Sequence, residues 1–232
     1  RSVVISCGFG SMARPSVFFR ALKSIAAQRN PPLRLTWITV SAAGARGRAE
    51  GSLEDLAHPH LIDCYITGHV ETVKAFVPLV ETGKMEWHTL PQGVITQILE
   101  NQKRKIDFVE TVSGLGTFLE DLACGDKNAF VSKVADKLRY RLPFVDTALI
   151  VAAKADAEGN LSMKDAATLT EMADAARAAK ANGGIVIAIV GKIVDSFEEE
   201  KFLLANEVDY IIVDPYAEQI AGIPLNNAWT LF

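Results

Sequence analysis

Four glycine-containing segments stand where the chain could hold an anionic ligand. They are Gly8–Arg14, Gly44–Arg48, Pro91–Gly93 and Gly114–Thr117. Glycine lets a ligand approach the backbone closely, and the N-terminus of a helix favours negative charge. In open α/β sheets, ligands bind beyond the carboxyl ends of the strands. We therefore expect a binding site at the edge of a sheet that these segments share.

Gln92 is the side chain with the best-defined chemical potential. It lies between Pro91 and Gly93 at the end of a predicted strand. Its amide can donate a hydrogen bond to a carboxylate or a carbonyl there. The same position suits a helix cap or an exposed side chain, and the tripeptide alone favours neither interpretation.

The first glycine turn, Gly8-Phe9-Gly10, matches no nucleotide-binding motif. No Gly-Lys-Ser/Thr follows it, and the third glycine of a dinucleotide fingerprint is missing. By itself the turn is more typical of a structural bend than of a phosphate site.

The four histidines form no set with a recognisable spacing. His69 follows Gly68 at the end of a strand, where it either lines a pocket or packs as a partly buried imidazole. The sequence contains no HExxH motif and no His/Cys cluster, so we predict no metal site. It also lacks the Gly-x-Ser-x-Gly turn of α/β-type serine hydrolases.

Composition places the chain among globular proteins. Its 232 residues are 49% hydrophobic and 22% charged, with a net charge of −4. No basic stripe is present, which argues against a nucleic-acid partner. No apolar run approaches the ~20 residues that cross a membrane, and the N-terminus does not resemble a signal peptide. Three scattered cysteines predict reduced thiols, and we expect a cytoplasmic location.

Apolar runs alternate with helical periodicity along most of the chain. Strands are predicted at Val3–Cys7, Leu33–Val40, Leu61–Thr67, Met85–Leu90, Asp107–Val112, Thr147–Ala153, Ile185–Val190 and Tyr210–Val213. Helices are predicted after Pro15, at Val70–Val80, at Val94–Gln102, from Ser162 to Ala181, and at Glu198–Asn206. Ser162 with Asp165 three residues later resembles a capping box, which is why the fourth helix is predicted to begin there. This rhythm is typical of an α/β fold with an open, mostly parallel sheet and flanking helices.

The middle of the chain departs from that rhythm. Ser113–Asn128 has no clear period, and residues 129–142 alternate apolar and polar side chains, which predicts a β-ribbon. No linker or repeat is evident, so we expect one domain over residues 1–232. The chain enters a strand at once, which suggests that upstream residues are missing.

Six segments, taken in order, resemble family I CoA transferases, closest to the acetate/propionate short-chain branch. They are Cys7-Gly8-Phe9-Gly10, Leu90-Pro91-Gln92-Gly93-Val94-Ile95, Gly114-Leu115-Gly116-Thr117-Phe118, Gly125-Asp126-Lys127-Asn128, Asp146-Thr147-Ala148-Leu149-Ile150 with the turn Lys154 to Asn160, and Gly183 to Ile187. Each is weak alone, whereas the ordered set covers nearly the whole chain. The resemblance implies the fold of the ribose-phosphate isomerase, glucosamine-phosphate deaminase and CoA transferase group.

The resemblance further implies the alpha-type half of an enzyme that moves CoA from a short-chain acyl-CoA to a carboxylate acceptor. The nucleophile of the family is a glutamate in the beta-type half, which forms a glutamyl-CoA thioester in a ping-pong cycle. This sequence contains no match to that glutamate, so the resemblance implies a beta-type partner and a hetero-oligomer. CoA and acyl-CoA would be substrates, with no permanently bound cofactor.

Site residues carry over from the family by position. Gln92 matches the glutamine that contacts the carboxylate or thioester at the reacting centre. The residues that match the loops shaping the acyl and pantetheine pocket are Gly8, Phe9, Gly10, Gly114 and Gly116. We also expect Gly93, Thr117 and His69 to belong to the substrate- or CoA-binding site.

Two alternatives remain open from the sequence. One is the alpha part of a related citrate- or malonate-lyase-type acyl transferase, in which the acyl group is attached to a carrier protein. The other is a non-catalytic acyl-CoA-binding protein on the same fold, because a fold alone does not establish a function.

Overall fold

The computed structural model describes residues 2–8, 13–28, 32–47, 51–125, 128–164, 166 and 169–215. Its strands are β1 (Val3–Ser6), β2 (Leu35–Thr39), β3 (Ile62–Thr67), β4 (Glu86–Thr89), β5 (Phe108–Thr111), β6 (Val131–Val134), β7 (Lys137–Arg141), β8 (Thr147–Ala152), β9 (Lys154–Asp156), β10 (Leu161–Ser162), β11 (Ile185–Val190), β12 (Ile193–Val194) and β13 (Tyr210–Val213). The α-helices are α1 (Ser16–Gln28), α2 (Val77–Glu81), α3 (Gln92–Gln102), α4 (Phe118–Cys124) and α5 (Met172–Ala181), and short 3₁₀ helices lie at Leu53–Leu56, Lys74–Phe76 and Ala205–Glu207.

Seven strands form one parallel sheet in the order β13-β11-β8-β1-β2-β3-β4. Parallel strands with both faces covered read as continuous apolar runs, as β8 and β11 do. The chain proceeds outward from β1 in one direction to β4 and in the other from β8 to β13. The strand order therefore reverses between β1 and β8, which is where ligands bind in such sheets. The expected α/β fold class is confirmed.

Helices bury apolar surface on both faces of this sheet. On one face, Phe19 and Leu22 of α1 pack with Trp37 and Tyr65 of the sheet. On the other face, α3 and α5 pack side by side, and four buried alanines of α5 let it approach β8 and β11 closely. Asn182 and Gly183 follow α5 and end it, as predicted.

The predicted ribbon is present, and it recruits a third strand. β6 and β7 form an antiparallel hairpin, and β5 pairs with the other side of β7. The strand predicted at Asp107–Val112 thus belongs to this small sheet and not to the main one. A second small sheet joins β9, β10 and β12 beyond the carboxyl ends of β8 and β11.

Two predictions in the first half of the chain need correction, one of a helix and one of an irregular stretch. In the segment predicted as the helix Val70–Val80, residues 70–73 form a turn in which Thr72 accepts backbone N–H groups from the Gly44–Gly47 loop. The α-helix starts only at Val77, where Pro78 occupies the first turn, which suits a residue without an N–H. The irregular stretch Ser113–Asn128 contains a helix, α4, that begins after Thr117.

Two predictions in the second half are also wrong. The helix expected from Ser162 begins at Met172. The Ser162 hydroxyl does not cap a helix, because it donates a hydrogen bond to Glu199 at 2.7 Å. Asp165, its expected capping partner, lies outside the described residues. Glu198–Asn206 is helical only at Ala205–Glu207. Its middle is extended and exchanges backbone hydrogen bonds with Leu161. Within the described residues, no helix is long and apolar enough to cross a membrane.

Candidate functional site

The turn that carries Gln92 lies at the carboxyl end of edge strand β4. The Leu90 N–H donates to Thr67 O at 2.9 Å, which holds the turn against the end of β3. Pro91 is the N-cap residue and Gln92 is the first residue of α3. Four apolar residues of α3, including Val94 and Ile98, are buried and anchor the helix. The Gln92 side chain is exposed, and α3 has no side-chain cap, so the cap interpretation of Gln92 is wrong.

Gly68 packs directly against Gln92. A Cβ at Gly68 would stand 2.2 Å from Cγ of Gln92 and 2.5 Å from the Val40 carbonyl oxygen. Any other residue at this position would displace the strand ends. The absence of a side chain at Gly68 therefore brings the ends of β2, β3 and β4 together and fixes the position of Gln92.

His69 continues from Gly68 onto the surface. Its backbone N–H donates to Thr67 Oγ1 at 3.2 Å, and its Nε2 lies 3.8 Å from Glu71 Oε2. Glu71 in turn pairs with Arg46, whose hydrogen bond lowers the pKa of that carboxyl. His69 is thus half-exposed at the same edge as Gln92, among charged side chains.

The Gly114–Thr117 loop has mainly structural contacts in this state. Thr117 is the N-cap of α4 and accepts a hydrogen bond from the Leu119 N–H at 3.2 Å. Gly114 has φ +96°, and a Cβ there would lie 2.3 Å from the Tyr140 hydroxyl. Gly116 has φ +73° with open space beside it, and its N–H donates to Glu120.

A cavity of about 220 Å³ joins this loop to the end of β4. Its walls are residues Trp87 to Leu90 on one side and Phe118, Leu119 and Leu122 of α4 on the other, with Asn128 beside them. Phe118 and Leu122 are exposed apolar side chains at this wall. The structure therefore brings the segment before Gln92 and the segment after Thr117 around one partly apolar space.

Gly8, the described residue of the first glycine turn, lies at the reversal of strand order and does not line that cavity. Gly8 follows β1 with φ +137°, a conformation that favours glycine. Phe9 and Gly10 lie outside the described residues, so their predicted contacts stay predictions.

A buried acid beside this turn has no counterpart in the sequence predictions. Glu171 precedes α5 and is 9% exposed. Burial raises the pKa of its carboxyl to about 7, and the Cys7 thiol lies beside it. Burial and the Glu171 carboxylate together raise the pKa of Cys7 well above its ordinary value. The pair joins β1 to a helix more than 160 positions away, so no local motif marks it.

Chemically, the edge around Gln92 can orient and polarise a carboxylate or thioester. The Gln92 amide is exposed. The backbone N–H groups of Gln92 and Gly93 lie in the first turn of α3, where N–H groups have no acceptor within the helix. A Cβ at Gly93 would meet open space, so a ligand can approach the backbone there. These donors suit a group that carries or develops negative charge on oxygen.

Two curated relatives have known activities. Acetate CoA-transferase YdiF of Escherichia coli O157:H7 is 27% identical over 232 residues, covering 94% of this chain and 43% of that protein. Caffeate CoA-transferase of Acetobacterium woodii is 29% identical over 202 residues, covering 80% of this chain and 37% of that protein. The chain therefore spans less than half the length of the curated relatives it matches. No protein-family model matches it.

A solved structure shares the fold. The acyl-CoA transferase YdiF of E. coli O157:H7, as a thioester complex with CoA, superposes with a TM-score of 0.85 at 24% identity, covering 97% of this chain and 49% of that one. The resemblance indicated by the sequence is thus confirmed: the chain is homologous to CoA transferases.

Proposed function

We propose that this chain is the alpha-type half of a CoA transferase that moves CoA from a short-chain acyl-CoA to a carboxylate acceptor. The observation that carries the proposal is similarity to an acetate CoA-transferase along 94% of the chain. The Gln92 turn supports it, because an exposed amide at a helix start suits a carboxylate or thioester. The exposed apolar side chains Phe118 and Leu122 on the cavity wall suit an acyl chain or pantetheine arm.

In the proposed cycle, the covalent step belongs to the beta-type half. A glutamate carboxylate there attacks the acyl thioester carbonyl and releases CoA as the thiolate, leaving an acyl-glutamyl anhydride. The thiolate then attacks the glutamyl carbonyl, which releases the first acid and leaves glutamyl-CoA. A second carboxylate reverses these steps and leaves as acyl-CoA.

The role of this chain in the cycle is positioning and polarisation. Gln92 and the first N–H groups of α3 would stabilise the oxyanion that forms at each carbonyl. Gly8, Phe9, Gly10, Gly93, Gly114 and Gly116 would shape the path of the pantetheine arm. Thr117 would act through its cap on α4, and His69 would lie at the rim of the site.

Reconstitution tests the proposal. The chain is assayed for CoA exchange between acetyl-CoA and propionate, alone and with a beta-type half from the same source. We expect negligible exchange alone and ping-pong exchange with the partner. Borohydride treatment during turnover should label a glutamate of the partner and leave this chain's mass unchanged.

Contrary outcomes separate the alternatives. Full exchange by the chain alone would contradict the division of labour between two halves. Exchange that requires a phosphopantetheine carrier protein in place of free CoA would favour the lyase-type system. Binding of acetyl-CoA without exchange, with any beta-type half, would favour a non-catalytic binding protein.

A further inference from the structure

Three potential metal ligands converge on the two strands at the β4 edge of the main sheet. Cys64 of β3 is the direct neighbour of Glu86 on β4, and His88 follows Glu86 by two residues on the same face. One ligand atom from each side chain lies within 4.8 Å of the other two. The His88 Nε2 and Glu86 Oε2 atoms are 3.8 Å apart.

These separations are close to those of a tetrahedral zinc site. Ordinary zinc bond lengths place neighbouring N and O ligands about 3.4 Å apart and a sulfur about 3.6 Å from either. Since the ligand atoms lie within 4.8 Å of one another, closing the arrangement to those zinc distances requires shifts of up to about 1.2 Å. Glu86, whose side chain is 78% exposed, can make most of that adjustment by rotating.

A second observation points to a ligand at this place. Nε2 of His88 is shielded from water and has no hydrogen-bond partner. A buried polar atom without a partner destabilises the folded chain, so native structures rarely leave one. The ring itself is fixed by an edge contact with Phe130, at 4.5 Å between centroids.

We propose that Cys64, Glu86 and His88 bind a zinc-like transition-metal ion that joins β3 to edge strand β4. Thiolate, imidazole and carboxylate together match borderline-soft Zn²⁺, whereas Ca²⁺ and Mg²⁺ require mostly oxygen ligands. Three protein ligands leave the fourth position for water or an exogenous group. The sequence predicts no metal because the three residues are split between two strands and their spacing matches no motif.

The location gives the ion a structural role. His88 lies four residues before Gln92 and lines the cavity shared by β4 and α4. A metal that joins β3 to β4 would therefore stiffen the edge that holds the Gln92 turn. The inference does not rest on the proposed function, because the ion would bind whether or not the chain takes part in CoA transfer.

Cobalt titration of the full chain tests the site, because Co²⁺ reports its own ligands. After removal of metals, we expect one Co²⁺ per chain, with a thiolate-to-cobalt charge-transfer band and strong visible bands of tetrahedral geometry. Zn²⁺ should displace it. Cys64→Ser should abolish the charge-transfer band. His88→Gln should weaken cobalt binding by at least about tenfold, because losing even an outer partner of a metal ligand costs that much.

The matched controls are Cys124→Ser and His58→Gln, which alter an exposed thiol and an exposed imidazole outside the cluster. Both should bind cobalt as the unmodified chain does. If Cys64→Ser fails to fold, ¹¹³Cd NMR of the unmodified chain shows whether a cysteine binds the metal. One sulfur ligand shifts the cadmium resonance far from that of a site with only nitrogen and oxygen ligands. No charge-transfer band at one equivalent of Co²⁺, or a band that survives Cys64→Ser, would overturn the proposal.

Discussion

Gln92 is the residue on which the proposed chemistry depends most directly. In the reconstituted enzyme, Gln92→Ala removes a donor from the proposed oxyanion position, and losing one such donor costs ~10²-fold or more in turnover. The matched control is Gln97→Ala, which alters another exposed glutamine on the same helix. Steady-state kinetics should show kcat falling with the first change and not with the second. Equal turnover in both variants would reduce Gln92 to a surface residue.

Glu171 should make the stability of the fold depend on pH. Its pKa is about 7 in the folded chain because burial disfavours the carboxylate, whereas the unfolded value is about 4.3. The raised pKa means that the protonated acid supports the fold below the unfolded value. This contribution is lost as pH rises through the folded value, and it amounts to roughly 4 kcal/mol at most.

Urea unfolding at pH about 5 and about 8 measures this dependence. Glu171→Gln keeps the shape and removes the titration, so its stability should exceed that of the unmodified chain by an amount that grows with pH. Glu198→Gln changes an exposed acid and serves as the control. A difference between Glu171→Gln and the unmodified chain that does not vary with pH would contradict the prediction.

The sequence predicts the positions and contacts of some site residues better than those of others. Gln92 was identifiable because the turn, the strand before it and the helix after it are all local. The contact of Gly68 with Gln92 and the pairing of Cys7 with Glu171 carry no local signal, since each depends on tertiary packing between distant segments. Phe9 and Gly10 remain predictions.

Among the secondary-structure elements, the loop before α4 contains two glycines with positive φ, and only one of them is crowded by a neighbouring side chain. Substituting each by alanine separates the cost of backbone strain from the cost of a steric clash. Gly114→Ala puts a methyl group 2.3 Å from the Tyr140 hydroxyl, which donates to Ser113 O, at a φ of +96°. Gly116→Ala imposes a similar strain with open space around it. Strain alone costs on the order of 1 kcal/mol, and the clash should add a further 1–3 kcal/mol. Denaturant unfolding should rank Gly114→Ala well below Gly116→Ala in stability, and equal losses would contradict the role of Tyr140.

Strands were predicted better than helix starts, for a physical reason. The main-sheet strands are apolar runs whose burial is decided by composition, so β1, β2, β3, β8 and β11 could be located from sequence. Helix starts depend on which partner a polar side chain finds. Ser162 resembled a cap, but its hydroxyl binds Glu199, and Lys154 binds the same carboxylate. These hydrogen bonds and the salt bridge to Lys154 lower the pKa of Glu199 to about 2.

At the scale of the whole molecule, the burial of the main sheet on both faces should slow the reaction of its cysteines with a thiol reagent. Cys7, directly after β1, and Cys64, on β3, are each 4% exposed, whereas Cys124 is exposed at the end of α4. With a chelator present, a thiol reagent should therefore modify one cysteine rapidly in the native chain and all three after denaturation. Rapid reaction at two or three sites in native buffer would mean that the sheet opens more readily than its packing indicates.

The position of β1 in the middle of the main sheet has a consequence for how the chain reaches this state. β1 pairs with β8 through Val4 and Thr147, so one edge of the first strand stays open until about 140 further residues exist. At a synthesis rate of about 5–20 residues per second, that wait is on the order of ten seconds. Such long-range pairing slows folding, and the apolar edge of β1 is exposed to aggregation throughout. The nascent chain therefore keeps this edge of β1 unpaired until β8 leaves the ribosome.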